Sequence, residues 1–451
     1  MIKKTVGILS LLFIVFAAVY AQRLRFSAHR TGVQPVSSSS SSVFGFSWSM
    51  RPRFGAKNSS GLVEYHWNPT TQKYDDSYIS PGSWTVDFDG CSSVSSQSAL
   101  KWEIDGQAIP ETQCRFSRPF SELKTYVVKL TAAAPGGQTE SAEASVVLKD
   151  YFIVSIGDSF ASGEGNPDKP RQGIGQEKWV DKRCHRSAVA GPAQAAVILE
   201  NADAHSSVTF ISFACSGAEL NAGLTGGQEK GGLMLQPQLD KVFEAARSRP
   251  IDALLVSIGG NDVNFAKLVL DAIKLRHAET DKGANKLVSD GLASLPGRFA
   301  LMSQRLSNPT NPTTVANVFI TEYPDIVRAE TRNFCDHSPH FPDLLNGISA
   351  AESEWALNKI LLPLNDAVSV AAGLSGWNFV TGIADKFAGA SSDHIAHGFC
   401  ADDQRWARTF NDSFKVQGDP KGTVHPNAAG HAWYAQRLAA ALKEKGIGAS
   451  E

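Results

Sequence analysis

From Tyr151 onward one pattern repeats: a short apolar run, then a stretch with helical spacing. The runs are Tyr151–Ile156, Val208–Phe213, Ala253–Ile258, Val315–Ile320 and Trp377–Val380. A strand buried on both faces reads this way, because neither face meets water. Between the runs, Gln238–Arg247 puts Leu239, Val242, Phe243 and Ala246 on one helical face, and Phe265–Leu275 behaves similarly. Trp355–Ala371 has the same spacing, but Pro363 should kink or break it, since proline lacks an N–H and crowds the preceding turn. Asn427 is a good N-cap for a last helix running past Leu442 to Gly446. Strands alternating with helices predict a three-layer, doubly wound α/β parallel sheet over 150–451. Functional residues in such sheets gather at the carboxyl ends of the strands.

The preceding stretch, 44–149, has a different texture. Ser83–Phe88 and Leu100–Ile104 alternate with period two, and Tyr126–Leu130 does so less strictly. Asp105-Gly106 and Gly136-Gly137 are turn signals between such runs. Short strands at this spacing predict a small all-β sandwich. Its alternation and turns resemble PKD or immunoglobulin-like accessory domains. It carries no catalytic constellation, so the expected role is stabilisation or contact with carbohydrate or a cell surface.

The first 21 residues read as a secretory signal. Lys3 and Lys4 precede the uncharged apolar run Val6–Tyr20, and Val19-Tyr20-Ala21 suits a cleavage site. The alternative is an uncleaved anchor, since the run approaches the length of a membrane span. Residues 22–43 end in Ser37–Ser42, a serine tract unable to bury apolar surface and expected to be a linker. Either way the bulk of the chain leaves the cytoplasm, giving a secreted or cell-surface protein. Its six cysteines should then be paired. Count alone allows about 15 connectivities. Sequence spacing favours the local pairs Cys91–Cys114, Cys184–Cys215 and Cys335–Cys400. Lys+Arg number 43 against 45 Asp+Glu, so the basic excess that phosphate binding needs is missing, and no nucleic-acid partner is expected.

Three consecutive apolar runs end in residues suited to chemistry. The first leads into Gly157-Asp158-Ser159, placing a serine among glycines just past a buried strand. A plain turn is the alternative reading. The second ends in Cys215-Ser216-Gly217-Ala218, where a glycine can offer an unobstructed N–H to an oxyanion. The third ends in Gly259-Gly260-Asn261, whose amide could point into the same pocket. His425 stands just before the last helix, in Val424-His425-Pro426. His431, a turn into that helix, reads as a helix-face residue. His394, His397, Asp393, Asp402 and Asp403 have irregular spacing for a metal centre, and loop support is the expected role. No metal or other cofactor is expected.

Ser159, Gly217, Asn261 and His425, in that order, resemble the four marks of the SGNH hydrolases, also called GDSL esterases and lipases. The resemblance runs from about Tyr151 to the C-terminus and is nearest the secreted actinobacterial-type branch, where Arg183–Ser187, Tyr323-Pro324 and His397–Cys400 also look familiar. It implies a flavodoxin-like sheet and a serine esterase or lipase acting through an acyl-serine. Ser159 would be the nucleophile and His425 its base. The N–H groups of Ser159 and Gly217 with the Asn261 amide would form the oxyanion hole. The family often has Asp three residues before the histidine; here that position is Gly422. A backbone carbonyl near Gly422 is the favoured orienting group, with Asp419 looping back as the alternative. The partner is then an ester: a lipid, a short acyl ester or an acylated glycan. An acyltransferase or a polysaccharide deacetylase could use the same scaffold. A non-catalytic surface-binding protein is disfavoured, because all four positions are filled. The long segment Asn264–Ser303 could form a lid or acyl-binding wall, or simply a helix packed on the sheet.

Overall fold

The computed structural model describes residues 44–448 apart from 94–98, 134–137, 174, 266–267, 269–276 and 337–347. The expected signal and serine linker, the Gly136-Gly137 turn and most of Phe265–Leu275 therefore lie outside the described residues.

Near the N-terminus the structure has short strands β1 (Ser47–Met50), β2 (Trp67–Asn68), β3 (Lys73–Tyr74) and β4 (Trp84–Asp89). They are followed by β5 (Ala99–Ile104), β6 (Gln107–Ala108), β7 (Arg115–Phe120), β8 (Thr125–Ala133) and β9 (Thr139–Val147). β2 pairs with β3 in a separate two-stranded ribbon, and the other seven strands form two antiparallel sheets, in the orders β1-β4-β7 and β6-β5-β8-β9. Their shared core holds Val86, Phe88, Trp102, Val128, Leu130 and Val146. These residues occupy alternate positions of their strands, as a sheet with one dry face requires. Asp105 and Gly106 both have positive φ, 49° and 75°, and close the tight β5–β6 hairpin. A disulfide joins Cys91 to Cys114.

Not all of 44–149 belongs to these sheets. Residues 53–79 instead cover an edge of the α/β body. Tyr74 and Tyr78 donate their hydroxyls to the carbonyls of Ser212 and Phe210, at 2.8 and 3.2 Å. The Phe54 N–H reaches Glu200, and the Arg53 guanidinium reaches Thr209 and Asp150. An edge strand needs its backbone groups satisfied, and these tyrosines do that in place of another strand. Residues 44–448 accordingly pack as one unit rather than splitting near residue 149.

The parallel sheet is built from β10 (Lys149–Gly157), β11 (Ser206–Ser212), β14 (Ala253–Ser257), β15 (Val318–Thr321) and β16 (Asn378–Val380). Its order is β11-β10-β14-β15-β16, and every pair is parallel. β10 comes first in sequence and lies between β11 and β14, so the winding reverses there and opens a crevice at its carboxyl end. Helices α1 (Ser159–Ser162), α2 (Gly191–Glu200), α3 (Gln238–Ala246) and α4 (Lys282–Leu306) follow in sequence. So do α5 (Ala350–Trp355), α6 (Leu362–Ser375), α7 (Phe410–Gln417) and α8 (Ala428–Glu444). One apolar core unites Ile153, Val208 and Leu255 of the sheet with Ala195 of α2 and Leu438 of α8. The other unites Phe152, Leu254 and Ile320 with Leu239 of α3 and Leu364 of α6.

Two elements differ from expectation. Val315 makes only an isolated bridge to Ile251, so the fourth run becomes a strand at Val318. Pro363 does not break its helix. α5 continues through a π-helical turn, Ala356–Leu361, in which Leu362 bonds back to Leu357, and α6 then begins. The wider turn makes room for a ring that would clash with a normal one. Of the segment Asn264–Ser303 expected as a lid, acyl wall or packed helix, Phe265 and Leu268 are buried, and its second half lies in α4, which buries Val288, Leu295 and Phe299.

Candidate active site

The turn after β10 requires glycine. Gly157 has φ 135°, and a Cβ there would lie 2.1 Å from the Ser257 carbonyl oxygen. Gln238 of α3 clamps this residue from both sides: its amide accepts from the Gly157 N–H at 2.8 Å and donates to the Gly157 carbonyl at 2.9 Å. Asp158 caps α1 through the Phe160 N–H and accepts the Tyr323 hydroxyl at 2.5 Å. Burial pushes the Asp158 carboxyl up to about 7, against the pull of the Tyr323 bond. Asp158 thus supports the turn, and Ser159 stands as the first residue of α1, at the carboxyl end of the sheet.

His425 reaches this serine from the far end of the sequence. Its Nε2 lies 2.7 Å from Ser159 Oγ, and both residues are buried. Its Nδ1 lies 2.9 Å from the Thr423 carbonyl oxygen. A carbonyl can only accept, so Nδ1 carries the proton and Nε2 is free to accept from the serine. The carbonyl at the ring is that of Thr423, next to Gly422, and the Gly422 carbonyl itself accepts the His425 main-chain N–H at 3.1 Å. Asp419 is not at the ring either; it accepts from the Gln417 amide at 2.7 Å and from the Lys421 N–H at 3.0 Å. Val424, a β-branched residue, has φ 62°, an uncommon and strained conformation that brings Thr423 and His425 onto one side. Burial lowers the His425 pKa below its ordinary 6.5, while the charge of Glu164 and the Thr423 carbonyl act upward.

Gly217 lies in the loop after β11. In this loop the N–H groups of Phe213, Cys215, Ser216 and Ala218 bond to Ser155, Gly157, Cys184 and Cys215 carbonyls, and that of Ala214 to the Ser212 hydroxyl. Among the described residues, the N–H groups of Gly217 and Ser159 have no such partner. The Cys184–Cys215 disulfide and the Cys184 carbonyl fix this loop to the chain before α2. Asn261, after β14, donates one amide hydrogen to the Ala218 carbonyl at 2.9 Å, leaving its second available. The preceding Gly260 N–H bonds to the Tyr323 hydroxyl at 2.9 Å.

A polar network that sequence reading missed lies behind the pair. The Glu164 carboxylate is fully buried and accepts from His185 Nδ1 at 2.7 and 2.8 Å and from the Gln417 amide at 2.6 Å. Burial alone would push this carboxyl up. The His185 bond and charge, then His425 and Gln417, bring it down to about 2, so it is ionised. His185 also stacks on Trp179, with ring centroids 4.7 Å apart. Glu164, His185 and Asp419 are close enough together to ligate an ion; Glu164 is bonded to His185 and Gln417, Asp419 is bonded to Gln417, and His185 Nε2 lies 3.7 Å from Asp419. His431 is fully buried: its ring accepts from the Gly191 N–H and reaches the Glu164 carbonyl, a structural role. His397 bonds the Gln404 carbonyl and stacks on Trp406, and Asp393 pairs with Lys386. The third disulfide, Cys335–Cys400, lies in the same region of the chain.

Residues 155–433, more than half of the chain, match the model of the GDSL-like Lipase/Acylhydrolase family. Among solved structures, the crystal structure of an extracellular lipase from Streptomyces rimosus aligns at 20% identity and a TM-score of 0.45, covering 64% of this chain and 99% of that one. A search of curated proteins returned no match.

Proposed function

Since this chain belongs to the GDSL-like lipase/acylhydrolase family and is therefore an ester-hydrolysing enzyme, we propose that it works through Ser159 as nucleophile and His425 as general base. The observation that carries this reading is the 2.7 Å contact between Ser159 Oγ and His425 Nε2. As Oγ attacks the ester carbonyl carbon, its proton passes to Nε2. The carbonyl oxygen becomes an oxyanion, held by the N–H groups of Ser159 and Gly217 and the free amide hydrogen of Asn261. The imidazolium then protonates the departing alkoxide, leaving an acyl-serine and an alcohol. Water, deprotonated by His425, attacks the acyl carbon; the acid leaves and Oγ recovers its proton. Thr423 holds the ring in the productive tautomer throughout, without a carboxylate. The paired cysteines and the signal-like apolar run Val6–Tyr20 support export, with the antiparallel sheets read as an immunoglobulin- or PKD-like accessory module.

The test is hydrolysis of p-nitrophenyl esters from acetate to palmitate by the protein and its Ser159→Ala variant. Activity that falls by about 10⁵-fold or more in the variant supports the reading. Comparable activity in both overturns it. The chain-length optimum separates a short-chain esterase from a lipase, and ester formation with an added alcohol reports transferase capacity.

A further inference from the structure

The Ser216–Gly217 peptide has two ends. One is the Gly217 N–H, the single amide of residues 213–218 without a partner among the described residues. The other is the Ser216 carbonyl, and two side chains converge on it. The Gln228 amide donates to this oxygen at 3.1 Å, and the Lys230 ammonium donates to it in a closer contact. Both come from β12 (Gln228–Lys230), which pairs with β13 (Leu233–Leu235) in an antiparallel hairpin. Gln228 is buried and Lys230 half-buried, and a Cβ built on Gly217 would lie 3.4 Å from the lysine Nζ.

We propose that Lys230 and Gln228 are positioning residues that clamp the Ser216–Gly217 peptide so that its N–H faces the oxyanion. In a trans peptide the C=O and N–H point in opposite directions. Fixing the carbonyl on the hairpin side therefore turns the N–H to the other side. Gly217 has φ 82°, which glycine adopts freely, so this peptide would have a low barrier to reorientation without an outside restraint. A reoriented peptide would present a carbonyl, not a donor, to the developing negative charge. The cation adds a second effect: a charged donor polarises the peptide and strengthens the hydrogen bond made by its N–H. Burial lowers the Lys230 pKa, with the Glu164 charge opposing. No carboxylate lies within ion-pair distance of Lys230 among the described residues, so its main partner is this carbonyl. This inference rests on the oxyanion role proposed for Gly217.

The experiment compares Lys230→Met, Lys230→Arg, Gln228→Ala and Ser159→Ala with the unaltered enzyme on p-nitrophenyl butyrate. It also measures inhibition by phenylboronic acid, a tetrahedral mimic, and by butyrate, a ground-state product. Loss of a whole oxyanion donor costs about 10²–10³-fold in kcat. Loss of its clamp should cost less: about 10–100-fold in kcat for Lys230→Met, with KM changed less than about threefold, and a smaller loss for Gln228→Ala. Boronate affinity should fall with kcat while butyrate affinity holds, and Lys230→Arg should recover most of the loss. Circular dichroism and the melting temperature identify variants that fail to fold. If folded Lys230→Met keeps kcat within about twofold, or loses only KM, the clamp is overturned. An inactive Ser159→Ala beside an unaffected Lys230→Met overturns the clamp alone. An active Ser159→Ala overturns the reading beneath it.

Discussion

Two histidines flank the loop that follows β10, and their hydrogen bonds are arranged in opposite ways. His185 gives Nδ1 to a buried carboxylate, Glu164, and its Nε2 faces Asp419 at 3.7 Å. His425 gives Nδ1 to a main-chain carbonyl and has the serine. A triad would unite the carboxylate and the serine on one ring. Here the carboxylate is one residue shell away, ionised and close enough to act on the His425 charge. In the proposed mechanism, orientation and electrostatics, which an aspartate would supply together, are divided between Thr423 and Glu164. The two roles can therefore be broken separately.

The largest expected effect is on His425 itself. His425→Ala should lower kcat by about 10⁵–10⁶-fold, the scale seen when a serine enzyme loses its base. His185→Ala should cost at most about 10²-fold, because its ring touches no reacting atom. It should also lower stability by about 1–3 kcal/mol, since it leaves Glu164 buried with one partner fewer. Steady-state kinetics and thermal melts of the two variants check this ordering. Equal kinetic losses would mean that the contrast between the rings is wrong.

Next comes the charge. The proposed mechanism needs neutral His425, so kcat/KM should fall as pH drops through its pKa. Burial sets that limb below the ordinary 6.5. The Glu164 charge raises this pKa, so Glu164→Gln should move the limb to lower pH. The same change removes a charge that stabilises the imidazolium in the transition state, so plateau kcat should fall by about tenfold. The glutamine still accepts a hydrogen bond from His185, which separates charge from packing. A pH–rate profile with an unmoved limb would show that Glu164 acts only as scaffold. Asp158 also titrates near neutrality, but it faces Tyr323 and the α1 amides, so its ionisation should alter stability before rate.

These contrasts also mark how far the chain can be read without its structure. Ser159, Gly217, Asn261 and His425 are legible as candidates because each follows an apolar run or precedes a helix, and strand ends gather in a parallel sheet. Thr423 was not, because it acts through a carbonyl that every residue possesses. Glu164 and Gln417 lie 253 positions apart, and no local pattern links them. Residues 53–79 alternate weakly and read as part of a β module. Their tyrosines bond to the edge of β11, a destination that periodicity cannot encode. Gln228 and Lys230 carry no sequence signal, since both meet a single carbonyl oxygen, that of Ser216, more than ten residues away.

The smallest expected effect is the sharpest on the wiring. Asp419 is the nearest acid before His425 in sequence, and by moving it could restore a triad. It is held away. One oxygen accepts from Gln417 and from the Lys421 N–H, and the other lies 3.7 Å from His185 Nε2. Its side chain is 30% exposed, so water screens its charge. Asp419→Asn keeps an oxygen for the first two bonds and removes only that screened charge. kcat/KM should change less than about threefold, and stability by under about 1 kcal/mol. A loss of about 10³-fold or more would mean that Asp419 swings onto His425 during turnover. In that case Thr423 would orient the resting ring only, and the division between orientation and charge would belong to the free enzyme rather than to catalysis.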